Sequence, residues 1–178
     1  MYVGGEITVD FFNRKSKIER IKNGNKDLFV EIIEENLSAM YRVAKGILKS
    51  SEDIEDSIQN TILIAFEKIH TLKKHEYFKT WLIRVLINEC NKIFNTNKRT
   101  SSYDEVEEGI VHDTYKNLDL SKAIERLPSE FKITTMLYYY EDMSVKEIGK
   151  ALGIAEGTVK SRLSRAREQL HELMKEGE

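Results

Sequence analysis

Cysteine and proline are nearly missing from the chain: Cys90 and Pro128 are the only examples among 178 residues. A lone thiol excludes an intrachain disulfide framework and a multi-cysteine zinc module. A lone proline, with nine glycines, leaves long windows open to helix. No run approaches the roughly 18–20 apolar residues of a membrane span. The amino terminus lacks a basic stretch followed by an apolar one. The expectation is a soluble, cytoplasmic protein with no membrane insertion. A basic excess is missing too, since 28 Lys+Arg face 30 Asp+Glu. A protein held on nucleic acid by non-specific phosphate attraction alone would be basic overall. Any such contact therefore runs through local patches, alongside a larger partner that supplies the remaining grip.

What is present is apolar spacing at helical period and an uneven charge distribution. Residues 1–100 carry +3, residues 101–120 carry −5, and residues 121–178 balance. Leu28, Ile32, Ile33, Leu37, Met40, Tyr41, Ala44, Ile47 and Leu48 recur at three and four, as one helix face requires. A second helix starts after Lys49-Ser50-Ser51 and carries Ile54, Ile58, Ile62, Ala65, Phe66 and Ile69. A polar stretch, Thr71 to Glu76, precedes a third from about Phe78 to Phe94. Residues 95–117 lose the periodicity and turn polar and acidic, which reads as a linker. The pattern resumes at Leu118 with Leu120, Ile124 and Leu127. Pro128 marks a turn, and helices follow at Phe131 to Tyr140, Ser144 to Leu152 and Thr158 to about Met174. No period-two segment calls for strands. The fold class is all-α: an arm at 1–25, a helical domain at 26–99, a flexible acidic linker at 100–117 and a second helical domain at 118–175.

The most specific signal is SVKEIGKALGIAEGTVKSRLSRAREQL, residues 144–170. Ser144 and Glu147 fit a capping box, so a helix begins at Val145. Gly149 is small where a close crossing is needed, and Gly153 can take the left-handed conformation that ends the helix. Val159, Leu163 and Ala166 face inward on the next helix. Two short helices around a glycine turn make a helix-turn-helix. The outward positions Thr158, Lys160, Ser161, Arg162, Ser164, Arg165 and Arg167 suit base edges and phosphates of a major groove. The plainer alternative is a solvated basic face with pairs such as Arg165 and Gln169.

These residues carry a resemblance. Residues 127–170 resemble region four of the extracytoplasmic-function (ECF) group of bacterial sigma factors, which binds the minus-thirty-five promoter element. DIEDSIQNTILIAFEKI at 53–69 and FKTWLIRVLINECNKI at 78–93 are similar to region two. The match runs from about residue 26 to 174, and both motifs in this order are highly specific. The resemblance implies a promoter-specificity subunit with bacterial core RNA polymerase, promoter DNA and an anti-sigma factor as partners, no cofactor and no catalytic set. It implies a polymerase-binding surface at Asp53, Glu55, Asp56, Gln59 and Asn60. Capping of the helix dipole by the first three is the plainer reading of those positions. A metal site is disfavoured, because no histidine neighbours them. The segment from His70 to Asn91 corresponds to the part that opens the minus-ten element, with Lys73, Lys74, Lys79, Arg84 and Asn88 as candidates. The basic tract Lys92, Lys98 and Arg99 just beyond it would hold duplex phosphates, and Phe78 and Trp81 read as core, with a stacking platform for bases as the alternative. His70, His75, His112 and His171 lack ligand spacing and read as surface. In region four, Lys160, Ser161, Ser164 and Arg165 would read bases, and Lys132, Thr158 and Arg162 would hold phosphates.

Three positions depart from the family pattern. Asn60 stands where many members have an acid. Lys132 stands where many have arginine, which loses bidentate phosphate geometry. Ala155 occupies the expected N-cap of the recognition helix, where serine is frequent and its loss costs about 1 kcal/mol. The linker, Thr100 to Asn117, would reach at most about 60 Å extended and about 24 Å as a free coil. The alternatives are a stand-alone helix-turn-helix regulator, an enzyme or metal-binding bundle using the acidic cluster, and a structural adaptor.

Overall fold

The computed structural model describes residues 17–100 and 120–175, the side chains of Arg99, Thr100 and Ser121 excepted. The acidic linker from 101, most of the arm and His112 lie outside the described residues. Among the described residues there are eight α-helices, two single 3-10 turns and no strand. Residues 17–22 form α1. The long helices follow: α2 (Lys26–Ile47), α3 (Ser51–Lys68) and α4 (Phe78–Thr100). The second group is α5 (Leu120–Glu125), α6 (Ser129–Tyr139), α7 (Val145–Leu152) and α8 (Glu156–Lys175).

The helix starts are set by local chemistry. Asn25 caps α2, its side-chain oxygen accepting the Leu28 N–H at 3.0 Å. Ser50 caps α3 toward Asp53 N–H, as the Ser-rich start suggested. Each cap satisfies one of the four N–H groups that a helix start leaves without a partner. Helices α2, α3 and α4 pack into a bundle around Met40, Val43, Ala44, Leu82, Ile83 and Leu86, all fully buried. Each such aliphatic side chain contributes roughly 1.5–3 kcal/mol on leaving water.

Four expectations need correction. The helical domain does not begin at 26, because the end of the arm packs into it: Ile18 and Ile21 are buried, and Lys22 Nζ donates to the Leu72 carbonyl at 2.5 Å. Helix α4 runs past Phe94 to Thr100, so the segment expected to begin the linker at 95 is its last turn and a half. There Thr96 returns a hydroxyl bond to the Lys92 carbonyl and Asn97 reaches Asp53. The apolar stripes of α2 and α3 are narrower than their spacing implies, because Leu37, Tyr41 and Phe66 are 44–49% exposed. Leu120, read as part of the resumed pattern, is also exposed.

The two helical units do not stand apart. One continuous buried cluster runs from Ile18 through Cys90 and on to Ile133, Leu137, Met143, Ile148, Val159 and Leu163. Helix α6 lies on α2, and α7 lies on α4. Gly46 lets α2 and α6 approach, since a Cβ there would sit 3.0 Å from Met136 Sδ. A smaller cluster of Leu127, Phe131 and Ala166, with Leu170 against it, ties α6 to α8.

Candidate nucleic-acid and protein interfaces

The helix-turn-helix forms as its residues dictate. Ser144 Oγ accepts the Glu147 N–H, and the Glu147 carboxylate accepts the Ser144 N–H at 2.9 Å, completing the capping box. Gly153 ends α7 at φ 69°, a conformation glycine adopts without strain. Both Gly153 and Ile154 donate to the Gly149 carbonyl. A Cβ on Gly149 would lie 2.9 Å from the Ile154 carbonyl oxygen, so the close approach is to the turn itself. Val159, Leu163 and Ala166 are buried, which fixes the rotation of α8. Ala155 does stand at the N-cap, its carbonyl accepting the Val159 N–H at 3.1 Å.

That rotation sorts the candidate residues of α8. Thr158, Lys160, Ser161, Ser164, Arg165 and Arg167 are exposed. Two of the hydroxyls turn back on the helix: Ser161 donates to the Thr158 carbonyl at 2.9 Å and Ser164 to Glu168 at 3.3 Å. Both oxygens keep lone pairs that can accept from a base amino group. Arg162 is less free, paired with Glu130 of α6 at 3.3 Å. Lys132 is half-buried on α6. Burial pushes its ammonium below the usual lysine range, with Glu125 opposing and Lys49, just past α2, adding repulsion.

Among the minus-ten candidates, Lys73 and Lys74 are exposed in the bend between the 3-10 turns Ile69–Thr71 and His75–Tyr77. Arg84 and Asn88 are exposed one turn apart on α4. Lys79 is not free: its Nζ lies 3.0 Å from Glu141 Oε2 and also donates to the Glu141 carbonyl. Phe78 is buried and Trp81 is partly buried against it, ring centroids 6.0 Å apart, so both belong to the core edge. Tyr77 lies beneath two ammonium groups, Lys150 at 4.5 Å and Lys74 at 5.8 Å from its ring. Spacing gave no signal for Tyr77 or for the Lys22 bond to Leu72 at the start of this loop. His70 and His171 are exposed and His75 is half-buried. No group of three metal-ligating side chains occurs among the described residues.

Helix α3 displays one continuous outer face. Glu55, Asp56, Gln59 and Asn60 are exposed along it, followed by Leu63 at 62% and Phe66 at 49% exposure. Asp53 is partly covered and accepts from Asn97 Nδ2 at 2.9 Å. An acidic and amide stretch running into two exposed apolar groups combines the polar and apolar contacts that protein interfaces use. The apolar end, missed by reading Phe66 as core, rests edge-on against Phe29 with centroids 5.2 Å apart.

Comparison with known proteins agrees with this layout. The chain matches the Sigma-70 region 2 model over residues 32–100 and the Sigma-70, region 4 model over residues 117–170. It is 29% identical to the RNA polymerase sigma factor SigV of Bacillus subtilis (strain 168), covering 82% of this chain and 90% of that one. It is 26% identical to the ECF RNA polymerase sigma factor SigW of the same organism, covering 91% and 97%. Among solved structures, the sigma factor RpoE of Bartonella quintana, crystallised with the anti-sigma factor NepR, superposes with a TM-score of 0.67 at 25% identity, covering 83% and 96%. CnrH in complex with the cytosolic domain of CnrY shares the fold, with a TM-score of 0.65 at 19% identity and coverage of 89% and 95%. The two Sigma-70 matches, in order over residues 32–100 and 117–170, together with these relatives place the chain in the ECF group of sigma-70 factors, the promoter-recognition subunits of RNA polymerase.

Proposed function

We propose that three surfaces divide the work of promoter recognition. The outer face of α3, from Asp53 through Glu55, Asp56, Gln59 and Asn60 to Leu63 and Phe66, docks a basic, partly apolar helix pair of core RNA polymerase. The exposed face of α8 enters the major groove of the minus-thirty-five element. There Lys160, Ser161, Ser164 and Arg165 read bases, while Thr158, Arg162 and Lys132 hold phosphates. The loop at 72–79 with Arg84 and Asn88 captures the separated strand of the minus-ten element, at roughly 1–3 kcal/mol of stacking per base. The observation that carries this reading is the rotation of α8: burying Val159, Leu163 and Ala166 leaves Lys160, Arg165 and Arg167 on the solvent side.

The chain opens DNA with binding energy and leaves the chemistry to polymerase, so it acts without a catalytic set. It works in the cytoplasm; among the described residues no helix is long and apolar enough to cross a membrane. An anti-sigma factor binds it and holds it inactive; the Bartonella relative is a sigma factor crystallised in complex with an anti-sigma factor.

Run-off transcription with purified bacterial core polymerase on a genomic fragment library tests the reading. New discrete starts sharing two upstream elements are the expected result. Arg165→Ala should weaken promoter use by about 5- to 150-fold, the range for one base-reading contact, with polymerase binding intact. Asp56→Ala should lower polymerase affinity by about tenfold or more while duplex binding persists. Equal loss of both functions in each variant would overturn the division of labour.

A further inference from the structure

The interface between the two helical units holds a buried carboxylate that promoter recognition leaves unexplained. Glu141 follows α6 and is 4% exposed, its side chain 2%. Two cations from the other unit enclose it. Arg42 of α2 donates from Nε to Oε1 at 2.9 Å, with Nη2 at 2.8 Å from the same oxygen. Lys79 of α4 lies 3.0 Å from Oε2. A guanidinium and an ammonium converging on one pair of oxygens is also the arrangement that holds a phosphodiester.

The same docking covers the strand-capturing loop. Thr80 donates to Glu147 Oε1 at 3.1 Å, and Lys150 sits over Tyr77. Helix α7 therefore lies against residues 77–80, and Lys79 cannot serve Glu141 and a DNA strand together. Charge also argues for exchange rather than permanence. With Glu141 removed, Arg42 and Lys79, already 42% and 38% exposed, are left as two unpaired cations on one site, with Lys73 and Lys74 exposed a few residues before Lys79, which favours a polyanion.

We propose that Glu141 is an intramolecular stand-in for a promoter phosphate. In the closed chain it occupies an anion site made by Arg42 and Lys79, and undocking of α6 and α7 hands that site to the DNA backbone. Arg42 thereby becomes a strand-holding residue, and the free chain is self-inhibited at its minus-ten surface. The inference rests on the promoter-recognition reading for the identity of the incoming anion, but not for the latch.

The test uses the full chain labelled at Glu67→Cys and Glu172→Cys, both exposed, with Cys90 buried and inert to label. Energy transfer between α3 and α8 reports closure. Glu141→Gln removes the charge, and Gly46→Leu wedges α2 from α6 while keeping Arg42, Lys79 and Glu141 all charged. Each should lower the transfer while circular dichroism stays helical. Unchanged transfer in both variants would overturn the latch.

A mixed-sequence single-stranded oligodeoxynucleotide, followed by anisotropy, reports the anion site. If opening raises the competent fraction from about one chain in twenty to about half, apparent affinity rises about tenfold. Adding Arg42→Gln to Glu141→Gln should reverse most of that gain and reduce the salt slope by about one. An unchanged slope would remove Arg42 from the strand contact. Variants that open by energy transfer yet bind no strand would overturn the phosphate exchange and the minus-ten reading, with the latch itself measured.

Discussion

Replacing Ala155 with serine should stabilise the protein through the start of the recognition helix. The Val159 N–H already bonds the Ala155 carbonyl, so the amides of Glu156, Gly157 and Thr158 have no intrahelical acceptor. The alanine methyl offers none, and its exposed position leaves room for a hydroxyl. A serine Oγ there accepts from Gly157 or Thr158, worth about 1 kcal/mol. The size of the thermal shift then reports how the chain unfolds. One cooperative unit of this length should gain about 2–4 °C, whereas the carboxy-terminal unit melting alone should gain about 4–8 °C. Differential scanning calorimetry measures both the shift and the number of transitions. A midpoint that is unchanged or lower, with the helical signal intact, would refute the claim that these amides lack a partner.

Other outcomes follow from single features of the structure. Thr135 Oγ1 is buried and has no hydrogen-bond partner, so Thr135→Val should be neutral or stabilising by up to about 2 kcal/mol in urea titration, since it removes an unpaired polar group at constant shape. Asp142 holds φ 51° between α6 and α7; Asp142→Gly should relieve that strain and raise stability by about 1 kcal/mol, read from the urea midpoint. Burial pushes the Glu147 carboxyl up, but bonds from the Ser144 hydroxyl and N–H and from Thr80, with Lys150 nearby, hold it below its usual value of 4.5. A carboxylate with a lowered folded-state pKa stabilises the fold above its unfolded pKa and loses that effect as pH falls through the folded value. The stability gap between the native chain and Glu147→Gln should therefore be constant from pH 7 to about 5.5 and narrow as pH falls below about 4.5; a gap that widened on acidification would contradict the assignment.

What the sequence made legible was local. The Ser144–Glu147 box, the left-handed Gly153 and the Val159, Leu163 and Ala166 stripe each depend on residues three or four apart, so helical period alone locates them. The outward position of Lys160 and Arg165 follows from the same arithmetic. The width of an apolar stripe does not, because spacing sets a direction on the helix and not how far the neighbouring helix covers it. Tyr41 and Phe66 lie at that margin, and Phe66 turned from core into the apolar end of the α3 face. Ile18 and Ile21 stayed hidden because one helical turn is too short to show a period.

Pairings across the fold carry no such signal. Glu141 meets Arg42 and Lys79 at separations of 99 and 62 residues. A lysine beside a strand-binding loop has the same sequence signature whether its anion is a DNA phosphate or a distant glutamate. The assignment of Lys79 to DNA was therefore degenerate from the start, and only the packing of α6 and α7 separates the two partners. The same degeneracy has a physical use. A site selected to hold phosphate oxygens accepts carboxylate oxygens at comparable distance, so a region-four acid can compete for it without any dedicated surface. On the proposed reading, this competition costs the free chain two strand-binding cations for as long as the two units stay docked, and whatever separates α6 and α7 from α2 and α4 releases Arg42, Lys79 and the cover over Tyr77 in one movement.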